Sequence, residues 1–167
     1  MNKKYERIPY KMRLMRKQTM TFNDTLLGMI GKPYGEIKKI WGPANGIYAY
    51  GGEIGFLFDK MVFYYFMDEY DVRAKEPKDG SLCYGAGCKL RSCISSMENR
   101  MYSFDELREK LGVDIYSFLT DEEDEYGADF VYSHEFSYAG LLFRFYSDSM
   151  HIISSNSIVF IKINENC

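Results

Sequence analysis

The chain has 167 residues, of which 46% are hydrophobic and 17% aromatic, with a formal net charge of −3. That apolar content excludes a disordered protein, and the length leaves no room for a second large domain. No run reaches the ~20 apolar residues of a membrane-spanning helix, and the opening MNKKYERIPYKMRLMRK mixes charge into the stretch where a secretory leader would be unbroken. The expectation is a soluble, cytoplasmic protein with no membrane partner.

Residues 1–20 form a basic segment. Lys3, Lys4, Arg7, Lys11, Arg13, Arg16 and Lys17 stand against Glu6 alone, a local charge of +6 that leaves −9 on the remainder. Such an arm can reach an anionic surface or nucleic acid through counterion release. It holds no base-reading motif and no strong amphipathic period, so it reads as a solvated tail or a first strand, with no nucleic-acid partner.

Residues 21–68 read as a helix–helix–sheet unit. A short helix is expected over 22–31, capped by Asn23 or Asp24 and stopped at Gly31, with Leu26 and Ile30 on one face. A second helix follows over 33–41, where Ile37, Ile40 and Trp41 fall at helical spacing and Gly42-Pro43 ends it. Strand-like text then runs over 47–58 and 60–66, with Gly51-Gly52 and Asp59-Lys60 as tight turns.

Residues 69–99 show no sustained period and read as a connector with a short helix over 92–99. It holds Cys83, Cys88 and Cys93, and Cys167 sits at the terminus. The C-x4-C-x4-C spacing is not that of the closely spaced pairs of structural zinc sites, so neither a metal nor a cofactor is expected. Disulfides and reduced thiols both stay open.

Residues 100–167 repeat the pattern. Ser103 and Glu106 form a capping box before a helix over 104–112, in which Leu107, Leu111 and Gly112 match Leu26, Ile30 and Gly31. A second helix is expected over 114–119, and strands over 129–138, 141–146, 151–153 and 157–163. Tyr138-Ala139-Gly140 corresponds to Tyr50-Gly51-Gly52, and each is followed by Phe-x-Phe, Phe143 and Phe145 against Phe56 and Phe58. The fold class is therefore α+β: two tandem helix–helix–antiparallel-sheet units forming a joined sheet with helices on one face.

Few residues suggest catalysis. No Gly-x-Ser-x-Gly elbow and no phosphate-cradling loop occurs. His134 and Glu135 are adjacent in a strand and point to opposite faces, so they cannot act together as base and orienting carboxylate. His151, also in a strand, reads as structural.

The aromatics point elsewhere. Both parities of the strands are apolar, Phe63 and Tyr65 against Tyr64 and Phe66, Phe143 and Phe145 against Leu142 and Tyr146. If one parity fills the core, the other shows aromatic rings to solvent, the composition of a protein contact. The candidate partner-binding residues are Tyr48, Tyr50, Tyr64, Phe66, Tyr138 and Tyr146. The acidic run of Asp121, Glu122, Glu123 and Asp124 joins them as a contact for a basic partner, against its default as a solvated loop.

The order short helix, Leu-x-x-x-(Ile/Leu)-Gly, second helix ending in Gly-Pro, then Tyr-Gly-Gly and a meander resembles the beta-lactamase-inhibitory-protein-like superfamily, over residues 22–66 and 104–163. The resemblance implies a continuous antiparallel sheet whose concave aromatic face grips a partner protein without catalysis. The secreted members carry disulfides within their repeats, whereas three of the cysteines here fall between them, so only architecture and binding style carry over. The expected function is a non-catalytic protein-binding module of inhibitor or immunity type. The alternatives are a self-associating assembly protein, a homodimer through the same sheet, and an enzyme built on the cysteines with His134 or His151.

Overall fold

The computed structural model describes residues 20–50, 53–58, 61–65, 76–119 and 132–165. The basic segment up to Thr19, the turn residues Gly51-Gly52 and Asp59-Lys60, Phe66, the acidic run Asp121, Glu122, Glu123 and Asp124, and Cys167 lie outside them.

The protein is α+β, with few helices and a large antiparallel sheet. After β1 (Thr21–Phe22) come α1 (Asp24–Leu27), α2 (Tyr34–Trp41), β2 (Gly46–Tyr50), β3 (Glu53–Phe58) and β4 (Met61–Tyr65). Then follow β5 (Cys83–Lys89), α3 (Leu90–Cys93), β6 (Ile94–Ser95), β7 (Met101–Ser103) and α4 (Phe104–Leu111). The chain ends through β8 (Tyr116–Leu119), β9 (Tyr132–Tyr138), β10 (Leu141–Ser147), β11 (Ile152–Ser154) and β12 (Ile158–Ile163).

Eight strands form one sheet in the order β2-β3-β4-β5-β12-β10-β9-β8, every neighbouring pair antiparallel. The first four run in chain order from one edge, and the second four run inward from the other. Their last strands, β5 and β12, meet in the middle. Two small ladders, β1 with β6 and β7 with β11, stand apart from the sheet.

The local signals work as their chemistry requires at the helix starts. Asn23 Oδ1 accepts the Leu26 N–H at 3.2 Å, and Ser103 Oγ accepts the Glu106 N–H at 3.1 Å. Glu106 does not reach back to complete a capping box; its carboxylate binds Arg100 and Lys110. Gly112 takes the left-handed conformation (φ 67°) and its N–H closes on the Arg108 carbonyl at 2.9 Å. The first helix is shorter than its pattern: past Leu27 the chain tightens into i→i+3 bonds, Met29 to Leu26 and Ile30 to Leu27, before Gly31 (φ 97°).

Two expectations are corrected. Residues 114–119 are not a helix: Tyr116 to Leu119 pair with Glu135 to Tyr132 as edge strand β8. Aromatic side chains and an available neighbour outweigh a helix only six residues long, too short to stand alone. The segment 69–99 is more than a connector, because it supplies β5 at the centre of the sheet, and its helix is Leu90–Cys93, not 92–99. Strand β5 is buried on both sides along Gly85, Ala86, Gly87 and Cys88, so it lacks the alternation that marks a half-exposed strand.

One sheet face carries the core. Phe56 and Phe58 of β3, Phe63 and Tyr65 of β4, Phe143 and Phe145 of β10, and Val159 and Ile161 of β12 are all buried. The helices lie on this face. Tyr34 of α2 meets Tyr65 edge-on at 5.6 Å, Trp41 meets Phe63 at 5.9 Å, and Phe104 of α4 stacks on Phe145 at 6.1 Å. Among the described residues no helix is long and apolar enough to cross a membrane.

Candidate functional site

The opposite face is not covered by any described helix. Register sorts its members: Leu57 on β3, Val62 and Tyr64 on β4, Gly85, Gly87 and Lys89 on β5, Ile158, Phe160 and Lys162 on β12. Across the seam it continues through Leu142, Arg144 and Tyr146 on β10, Glu135 on β9, and Tyr116 and Phe118 on β8. Several of these large apolar side chains are open to solvent: Tyr116 at 68%, Ile158 at 50%, Phe118 at 47%, Tyr146 at 45% and Phe160 at 41%.

A groove of about 340 Å³ runs along the middle of this face, lined by Tyr64, Tyr84, Leu142, Tyr146, Phe160 and Lys162 among others, over the backbone of Gly85 and Ala86. Glycine sets its depth. A Cβ on Gly55 would stand 3.0 Å from the Tyr64 ring, and one on Gly87 would stand 3.4 Å from the Tyr64 hydroxyl oxygen. The ring therefore lies flat along the sheet between two strands that present no side chain to lift it, and Tyr64 is only 6% exposed.

Arg144 and Glu135 form a cross-strand ion pair on this face, with the guanidinium Nε donating to Oε1 at 2.7 Å. Lys89 and Lys162 are exposed and have no ion-pair partner among the described residues. The seam is thus cationic on a chain that is anionic overall.

The candidate residues from sequence do not all come together. Tyr64 and Tyr146 share the groove. Tyr138 stands on the core face, stacked on Phe22 at 3.8 Å with its hydroxyl donating to Asp24 at 3.2 Å, so it does not join them. Burial and that carboxylate push its phenol above the ordinary range. Tyr48 and Tyr50 are in β2, paired with Gly55 and Glu53 at the far edge of the sheet. Phe66 and the run from Asp121 to Asp124 are outside the described residues. Sequence reasoning passed over Phe160, Ile158 and Lys162 because in β12 every residue but Lys162 is apolar, so alternation alone cannot say which parity faces out, and it passed over Tyr116 and Phe118 because residues 114–119 read as a helix.

Of the groups named for catalysis, His134 and the three central cysteines are buried, and His151 is exposed. His134 is fully buried between Phe104 and Phe145, at ring distances of 4.4 and 5.1 Å. Each ring nitrogen lies 2.6 Å from a hydroxyl, Nδ1 from Ser117 and Nε2 from Ser147. Ser147 donates its own proton to the Ser149 carbonyl at 2.6 Å, so Nε2–H donates to Ser147 and Nδ1 accepts from Ser117. Burial, foremost, holds the imidazole below its ordinary pKa.

Cys83, Cys88 and Cys93 are all buried free thiols. Cys83 Sγ donates to the Gly85 carbonyl at 3.2 Å, and burial pushes its thiol up to about 12. Cys93 lies against Cys88 within hydrogen-bonding reach and donates to the Leu90 carbonyl at 3.2 Å. Among the described residues no group of three or more His, Cys, Asp or Glu side chains is disposed to hold a metal ion.

No protein-family model, curated protein or solved structure matches this chain. The open face and its groove therefore stand on their own geometry.

Proposed function

We propose that the protein is a non-catalytic binding module that occludes a partner protein through the open face of its sheet, in the manner of an inhibitor or immunity protein. The observation that carries this reading is the row of exposed Phe160, Ile158, Tyr146, Phe118 and Tyr116 on a sheet anchored from behind by a continuous core. Large aromatic side chains on a rigid backbone give up little conformational freedom on binding and supply much contact area. In register, Tyr116 and Phe160 flank the Glu135–Arg144 ion pair, so exposed rings stand beside paired charges, the mixture of apolar and polar groups that a protein contact uses.

The two-copy architecture and the resemblance to the beta-lactamase-inhibitory-protein-like superfamily belong to the same proposal. They are supported by the sheet order, in which two four-stranded runs meet through their last strands, and by the left-handed glycines Gly31 and Gly112 at matched positions. The two small ladders do not divide evenly between the runs, because Phe22 of the β1–β6 ladder packs on Phe136, Tyr138 and Phe143 of the second run. The second run has a strand, β8, where the first has helix α2, so the copies are unequal.

Self-association is the second reading, favoured by edge strand β8, whose Tyr116, Phe118 and Leu119 are all exposed. The test is capture from the native host's lysate by the wild-type protein and by Phe160→Glu/Tyr146→Glu, followed by mass spectrometry, with light scattering of each pure protein. A partner held by the first and lost by the second supports occlusion. Identical captures by both overturn it, and a stable wild-type dimer that the double substitution dissociates and that captures nothing assigns the face to self-association.

A further inference from the structure

The groove has a charge pattern as well as an apolar floor, and the two together narrow what fits it. Phe160, Tyr64, Tyr84 and Leu142 form its floor and walls, and Lys162 stands at its side. Lys89 projects from the same face two residues beyond Gly87, beside Ile158. Of the carboxylates that register places on this face, Glu135 is bound to Arg144, and Glu53 stands at the far edge of the sheet opposite Tyr50. Among the described residues two lysines are left without a counter-ion around an aromatic slot, on a protein whose net charge is −3. Such a local reversal of sign steers and orients an anionic partner.

We infer that the groove receives an acidic segment of a partner protein, in which a Phe, Trp or Leu side chain enters the slot between Tyr64 and Phe160 while flanking carboxylates meet Lys162 and Lys89. This rests on the protein-binding reading and specifies the partner's chemistry. The shape favours a protein segment over a free small molecule. Compact ligands are held where most of their surface is buried, and this groove, on a sheet face that no described helix covers, contacts an occupant from one side. A side chain presented by a protein is covered on its other side by its own chain. The groove that Tyr64 and Phe160 line has a volume of about 340 Å³, enough for one such side chain.

The experiment is fluorescence anisotropy with three probes: a labelled octapeptide in which two Phe are each flanked by Asp and Glu, the same peptide with Lys in place of every acid, and N-acetylphenylalanine as competitor. The expected result is binding of the acidic peptide at least about tenfold tighter than the basic one, weakening about tenfold between low and moderate salt. Lys162→Glu should weaken it about tenfold, and Phe160→Ala comparably, in proteins whose far-UV circular dichroism is unchanged. N-acetylphenylalanine should compete only weakly. Absence of binding by the acidic peptide, equal binding of the basic one, indifference to Lys162→Glu or to Phe160→Ala, or competition as strong as the peptide itself each overturns the inference. Its failure is distinct from failure of the function beneath it: a lysate partner lost with Phe160→Glu/Tyr146→Glu but kept with Lys162→Glu removes the acidic assignment and leaves the occlusion reading intact.

Discussion

Acid should weaken this fold in a window set by His134. In the folded protein the ring is fully buried, its Nδ1 already accepts from Ser117, and Arg108 adds positive potential nearby. A proton on that nitrogen would place an unhydrated charge between Phe104 and Phe145. The folded pKa therefore lies below the ordinary 6.5, while the unfolded chain keeps that value. Above pH 6.5 both states are neutral and the residue exerts no pH effect. As pH falls through 6.5 the unfolded state takes a proton that the folded state refuses, and stability is lost at up to ~1.4 kcal/mol per pH unit until the folded pKa is reached. The ceiling at pH 5.5 is thus about 1.4 kcal/mol below the value at pH 7.5. Urea unfolding at pH 7.5, 6.5 and 5.5, followed by fluorescence of the single Trp41 packed on Phe63, measures it. His134→Gln keeps one donor and one acceptor but cannot titrate; it should be less stable at every pH by ~2 kcal/mol from lost ring packing and lack the slope between pH 6.5 and 5.5. Equal slopes in wild type and His134→Gln, or a flat wild-type profile, would refute the reasoning.

Three further outcomes are expected. Gly85→Ala should lower the unfolding midpoint by several degrees, a loss of about 1–3 kcal/mol, because its Cβ would stand 2.7 Å from the Ile161 carbonyl oxygen and the central strands would have to part. Glu106, whose carboxyl is pulled to about 2 by Arg100 and Lys110, stabilises the fold above its ordinary 4.5 and loses that contribution as pH falls toward 2. Partial exposure screens the pair, so Glu106→Gln should cost at most ~1 kcal/mol at pH 7 and nearly nothing at pH 2, as read by chemical denaturation. Iodoacetamide at pH 8 should leave Cys83, Cys88 and Cys93 unlabelled in the native protein and label all three in urea, as peptide mass spectrometry would report; rapid native labelling would contradict their burial.

What the sequence determined by itself was local. Side chains at Asn23 and Ser103 that cap helices, and glycines at 42 and 112 that end them, act over three or four residues, and the structure uses each as its chemistry demands, whereas α1 stops at Leu27 with Gly28 as its C-cap, short of Gly31. The Ala139-Gly140 turn, with φ of 52° and 76°, is likewise written in two residue types. The aromatic content of both strand parities was also legible, and with it the prospect of exposed rings, though not which ones. Tyr138 and Tyr146 look alike in sequence, yet one is stacked on Phe22 and the other lines the groove.

Only the tertiary structure decided the centre. A strand of Cys, Gly, Ala and Gly has little preference for extended backbone of its own. It becomes β5 because β4 and β12 flank it with free hydrogen-bonding edges, and because Tyr64 covers the surface its glycines leave bare. Residues 114–119 turned from expected helix to strand for the same reason: β9 offered pairing that a six-residue helix could not match. Placing Lys162 beside a slot formed by Tyr64 and Phe160 required the meeting of two strands far apart in the chain. That is a matter of register between β4, β5 and β12, and no local pattern encodes it.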